Sequence, residues 1–212
     1  MQNGFIHYLF DALMKTGRYL NMVEYFKKTS QFFYLLCAPE KHTDSKYLRR
    51  AANIGIDIFI VLKWLFIAFL WALNVNHEIV TIIVWYLLIS NIFTYFDYHA
   101  WNLAPSTPET TERSQRRFLT VLLSMGYTIF CYAYLYGVVY FKSFDWGAHS
   151  STLDMLYFSV ANALTVTYGD VSLLDTTARV LCASQLFITF IFVLIIASSI
   201  PTKNTGDNEN VL

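Results

Sequence analysis

The sequence predicts an all-α membrane protein with four spanning helices, and three observations carry that reading. Apolar residues make up 56% of the 212 positions and aromatic residues 18%, against 14% charged, a balance outside that of ordinary soluble domains. Four apolar runs, at about 53–73, 78–96, 118–140 and 176–200, each reach the roughly twenty residues needed to cross a hydrocarbon core of about 30 Å. Finally, twelve of the fifteen Lys and Arg residues lie in 1–52, 97–117 and the segment after Pro201. By the positive-inside rule these three regions share the cytoplasmic side, with both termini inside. An integral protein of a plasma membrane or a bacterial inner membrane is expected.

Several chemistries find no foothold. Cys37, Cys131 and Cys182 are odd in number and far apart, which gives neither a disulfide framework nor a metal cluster. His7, His42, His77, His99 and His149 show no ligand spacing, so zinc is not expected. The net charge is zero, and no nucleic-acid partner is expected. No small-residue cleavage site precedes the first long apolar run, so no cleaved signal peptide is expected.

Residues 1–52 read as an amphipathic segment. Phe5, Ile6, Leu9, Phe10 and Leu13 share one helical face, in a helix too short to span. A second such piece covers about Met22 to Cys37 and ends in Phe32, Phe33 and Tyr34. One reading lays both in the cytoplasmic interface, where acidic membrane lipid attracts Lys15, Arg18, Lys27 and Lys28; the other makes them a partner-binding arm. Residues 39–52, with Lys41, Lys46, Arg49 and Arg50, read as a basic linker.

The region 53–96 is expected to hold two spanning helices joined by the tight turn Asn74 to His77. Asp57 and Lys63 are misfits in the first. An ionisable residue at mid-membrane costs roughly 2.5–3.5 kcal/mol on insertion scales and raises a functional question. The bland alternative is that Lys63 snorkels or meets a polar neighbour such as Asn91 on the next helix. Asp97 and His99, at the inner end of that helix, form the only nearby acid–base pair; two residues apart at a helix end, they mark a water interface better than an active site, and no enzyme is expected.

Residues 97–117, with Pro105, Pro108, Arg113, Arg116 and Arg117, read as a cytoplasmic loop. Region 118–200 contains an outer helix, about Phe118 to Tyr140, a short amphipathic helix, Asp154 to about Leu164, and an inner helix, Thr176 to Ile200, stopped by Pro201. Residues 201–212 form a polar tail, too short for a folded domain. Between the short helix and the inner helix stands Thr165-Val166-Thr167-Tyr168-Gly169-Asp170.

That stretch resembles the filter of the pore-loop cation channels, most closely the potassium channels, whose filter reads Thr-Val-Gly-Tyr-Gly-Asp. Five of six residues match, and Thr167 replaces the first glycine. The resemblance covers roughly Phe118 to Ile200. It implies a re-entrant pore helix and filter loop between the third and fourth spans, a homotetramer around one axis, and no cofactor beyond permeant potassium ions. The carbonyls of Thr165, Val166, Thr167 and Tyr168 would coordinate K+, with Gly169 completing the filter. Asp170, Tyr157 and Phe158 would support the filter, the two aromatics as a cuff around Tyr168.

Carbonyls that all face one axis require backbone alternating between right- and left-handed conformations, which glycine adopts at little cost. At Thr167 the left-handed conformation costs roughly 1–2 kcal/mol per chain. Either that strain is accommodated and potassium is selected, or one carbonyl ring turns away and the channel is weakly selective. On the inner helix Leu186, Phe190, Val193 and Ala197 fall on one stripe, which faces a cavity by resemblance, or else its own outer helix or lipid. Residues 177–200 contain no glycine, so a glycine-hinged bend is not expected. Nor does a lone Lys63 make a voltage sensor. A non-conducting accessory role, with further channel subunits, is the competing reading.

Overall fold

The computed structural model describes residues 4–37, 45–101, 111–148, 150–166 and 170–198. Seven α-helices run in order: α1 Phe5–Leu20, α2 Met22–Cys37, α3 Ser45–Ala72, α4 Glu78–Phe96, α5 Thr111–Tyr134, α6 Thr152–Ala163 and α7 Thr176–Ser198. Four helical stretches are long and apolar enough to cross a membrane: Lys46–Ala72, Glu78–Phe96, Gln115–Val139 and Thr176–Ala197. The four-span fold expected from the apolar runs is therefore present.

Three boundaries differ from the sequence reading. Helix α3 begins at Ser45, eight residues before Asn53, so the latter part of the expected 39–52 linker is helix; residues 38–44 lie outside the described set. The helix extends because α2 lies along it. Ser30 Oγ donates to the Ala51 carbonyl at 2.7 Å and Gln31 Nε2 to that of Leu48 at 3.3 Å. Phe26 meets Phe59 at 4.9 Å between ring centroids. Gly55 permits this approach, since a Cβ there would stand 2.8 Å from the Phe26 carbonyl oxygen.

At the second boundary the expected loop 97–117 is shorter, because Asp97–Trp101 continues α4 as a π-helical turn and α5 begins at Thr111. The residues between, 102–110, lie outside the described set. Helix α1 docks on this π turn. Arg18 makes a forked contact with Asp97, Nε to Oδ2 and Nη2 to Oδ1 both at 3.0 Å. Phe10 packs against Phe96 and Trp101. Phe5, Ile6, Leu9 and Leu13 remain exposed on its other side.

The third difference lies in the outer helix, which passes from α to π geometry over Leu135–Val139. An unbroken run from Cys131 to Tyr136, spanning this change of geometry, is fully covered. Such π segments are uncommon and often accompany functional sites.

Helices α3 and α4 pack on α5. Trp71 and Trp64 both contact Phe130, and Tyr134 donates to the Val75 carbonyl in the turn between α3 and α4. Asn74 takes a positive φ of 49° in that turn, a conformation asparagine adopts more readily than most residues. The two misfits in the first span are both partnered. Asp57 accepts from Arg116 of α5 at 2.8 Å. Lys63, 6% exposed, donates to Asn91 and lies over the Tyr127 ring, its Nζ 4.6 Å from the centroid. The bland alternative for Lys63, a polar neighbour at Asn91, is the arrangement observed.

Candidate functional site

The site begins with α6. Ser151 accepts from the Asp154 amide, and the Asp154 carboxylate accepts in return from Ser151 N–H, a reciprocal cap that satisfies orphan donors of the first turn. The helix therefore begins at Thr152, two residues before the Asp154 start expected from the sequence, because Ser151 caps it. The helix buries Met155, Phe158, Ser159, Ala161 and Ala163 and points its C-terminal end at the Thr165 stretch.

The end of α6 is a Schellman motif. Thr165 N–H bonds the Asn162 carbonyl at 3.1 Å, and Val166 N–H reaches back to that of Ala161 at 2.9 Å. This pattern requires a left-handed residue after the cap, usually glycine. Here it is Thr165, at φ +59°, with its hydroxyl donating to the Leu164 carbonyl at 2.6 Å. A β-branched side chain there costs roughly 1–2 kcal/mol, so the first residue of the stretch is held against its own preference.

Thr165 and Val166 are exposed in the single chain. Thr167, Tyr168 and Gly169 lie outside the described residues. Asp170 is exposed, and its carbonyl lies beside the left-handed turn at Gly147, φ +53°. Tyr157 is 59% exposed in the single chain, whereas Phe158 is buried in an aromatic cluster with Tyr136, Phe144 and Trp146, at centroid distances of 5.2–5.6 Å. The two residues expected as a cuff thus point to different environments.

A two-stranded antiparallel sheet closes the loop, β1 Phe144–Asp145 pairing with β2 Ser172–Leu173. Leu174 N–H adds a bond to the Ser143 carbonyl at 3.0 Å. Asp175 then caps α7, accepting from Ala178 N–H and from the Ser143 hydroxyl, both at 2.8 Å. The Ala178 amide first, and the Ser143 hydroxyl second, hold its carboxyl below the ordinary value of 3.8.

Behind α6 lies a polar cluster that sequence reasoning missed. Gln185 of α7 is fully buried. Its Oε1 accepts from Tyr136 and from Asn162 Nδ2, both at 2.7 Å. Its Nε2 donates to the Ser159 carbonyl at 3.0 Å and hydroxyl at 2.8 Å. Ser159 Oγ donates in turn to the Ile129 carbonyl of α5 at 2.7 Å. These residues are spread across three helices, and only a periodic polar position in an apolar helix, Gln185 itself, could have signalled them.

On α7 a buried seam runs through Ala178, Leu181, Gln185, Ile188, Phe192 and Ile195 at alternating spacings of three and four, with Cys182 and Thr189 buried beside it. The stripe Leu186, Phe190, Val193, Ala197 lies off this seam: Leu186 is partly covered, and Phe190, Val193 and Ala197 are exposed. It is therefore not the face used against its own chain.

A short capped helix thus ends in a strained, exposed turn between two helices long and apolar enough to span a membrane. In the comparison with protein families, residues 118–204 match the family described as "Ion channel", which makes this part of the membrane protein similar to an ion-channel pore module. No curated protein and no solved structure matches the chain. Among the described residues no group of His, Cys, Asp and Glu is placed to hold a metal ion.

Proposed function

We propose that the chain is one subunit of a homotetrameric, passive channel that selects potassium, with Thr165, Val166, Thr167 and Tyr168 supplying rings of backbone carbonyls to the ion. The observation that carries this reading is the left-handed Thr165 at the start of the filter-like stretch. Its conformation is the one the alternation of a carbonyl-lined filter requires at that place, and again two residues later at Thr167. A threonine in this conformation already exists in the chain, which supports accommodation of a second one. Asp170 would concentrate cations at the outer mouth. Phe190, Val193 and Ala197, exposed in the single chain, would line the cavity below, where a ring of four Phe190 side chains could close the path by dewetting.

The topology that suits this reading has both termini in the cytoplasm of a plasma membrane or bacterial inner membrane, and α1 against the inner leaflet. Flux through purified protein in liposomes tests it, with potassium and sodium gradients compared and barium added as blocker. Strong, barium-sensitive preference for potassium is expected. Equal passage of both ions would replace the reading with a weakly selective channel. Silence in both gradients would replace it with an accessory subunit.

A further inference from the structure

We propose that Gln185 is a selectivity-determining positioning residue, holding the end of the pore helix in register from behind. This rests on the conducting role proposed above. The side chain uses its full capacity, two bonds accepted and two donated, and it does so where no water reaches. Its partners lie on two different elements of the proposed pore. Ser159 and Asn162 lie on α6. Tyr136 lies in the π segment of the outer helix.

Asn162 is the link to the filter. Its side chain is held by Gln185 at 2.7 Å and also donates to the Cys182 carbonyl at 3.2 Å. Its own carbonyl accepts from Leu164 and Thr165, the bonds that end the helix and set Thr165 in its left-handed state. Displacing Asn162 therefore displaces the first coordinating residue. A buried amide with four short bonds has one orientation that satisfies every group, and partial loss leaves unpaired polar atoms in a dry site.

Tyr132 and Tyr136 both reach α7, the first through Ser184 at 2.8 Å and the second through Gln185. The two hydroxyls hold adjacent residues of the inner helix, so the outer helix grips it at one level. An inner helix lacking glycine over 177–200 transmits movement at this level as a rigid piece, and Gln185 is where it meets the pore helix.

The test compares wild type with Gln185→Met, which keeps the volume and removes the amide, and Tyr136→Phe, which keeps the ring and removes one donor. Potassium-over-sodium permeability is measured in liposomes, together with tetramer content by size-exclusion chromatography with light scattering. The expected result is an intact tetramer with the permeability ratio lowered roughly tenfold in Gln185→Met and less in Tyr136→Phe, as befits loss of several buried hydrogen bonds against one. If Gln185→Met does not assemble, Tyr136→Phe decides alone, and an unchanged ratio in it overturns the proposal. A selective wild type with both variants equally selective overturns this inference and leaves the channel reading standing. A wild type that does not prefer potassium removes both.

Discussion

Lys63 Nζ lies 2.5 Å from Asn91 Oδ1, and Asn91 Nδ2 in turn lies 3.3 Å from both the Ser124 carbonyl and the Thr128 hydroxyl. One side-chain relay thus joins α3, α4 and α5 inside the membrane-spanning region. The positive charge meets no carboxylate in this relay; it is offset by the amide oxygen and by the Tyr127 ring. Lys63→Met should keep ion flux, because the relay lies outside the pore stretch. It should lower stability by about 1–3 kcal/mol by stranding the Asn91 oxygen. Lys63→Met combined with Asn91→Leu should recover most of that loss. Thermal unfolding in detergent, alongside liposome flux, checks both halves. A single variant without flux would make Lys63 part of conduction.

Gly55 sets how closely α2 approaches α3. A methyl group there meets the Phe26 carbonyl and the Ser30 Cβ, both at 2.8 Å, and backbone does not yield as a flexible side-chain end would. Gly55→Ala is expected to cost about 1–3 kcal/mol, and the loss should fall on α2 first. Hydrogen exchange should show faster exchange across Met22–Cys37 with little change in α6.

The outer end of α7 should be acid-sensitive. Asp175 has its carboxyl lowered by the Ala178 amide and the Ser143 hydroxyl. Its contribution is therefore present in full above the ordinary value of 3.8 and is lost as the pH falls through the lower folded value. The Ala178 amide should be protected from exchange near neutrality and lose protection only in strong acid. In Asp175→Asn that protection should no longer change with pH.

Thr167→Gly should ease the alternation the filter reading requires. Removing the β-branched side chain relieves roughly 1–2 kcal/mol per chain, and the potassium-over-sodium ratio should rise or the tetramer should melt higher. A lower ratio in this variant would contradict the account of strain at that position.

The four spans were legible because long apolar runs have one physical use in a chain of this composition. The short helix α6 was legible as well, though its expected start at Asp154 missed the cap that Ser151 places one turn earlier. What could not be read were partners distant in sequence. Lys46, Arg49 and Arg50 have the composition of a linker, yet they stand in α3 because α2 folds alongside and extends it. Arg18 reads as a lipid-facing charge, yet Asp97, far along the chain, takes it. The π segment carries no sequence signature of its own, since Leu135–Val139 would continue a regular helix equally well by propensity. Gln185 was not singled out in the sequence, because its meaning lies in Tyr136, Ser159 and Asn162, which only packing brings together.

The short pairing of Phe144 with Leu173 and Asp145 with Ser172 has a bearing on biogenesis. It ties the chain ahead of α6 to the chain ahead of α7 by bonds made within one chain. In a channel built from several copies, as proposed above, each copy would bring this tie already made. Assembly would then join chains whose segment 146–171 is already closed at its ends, with that closure entropy met before subunits encounter one another.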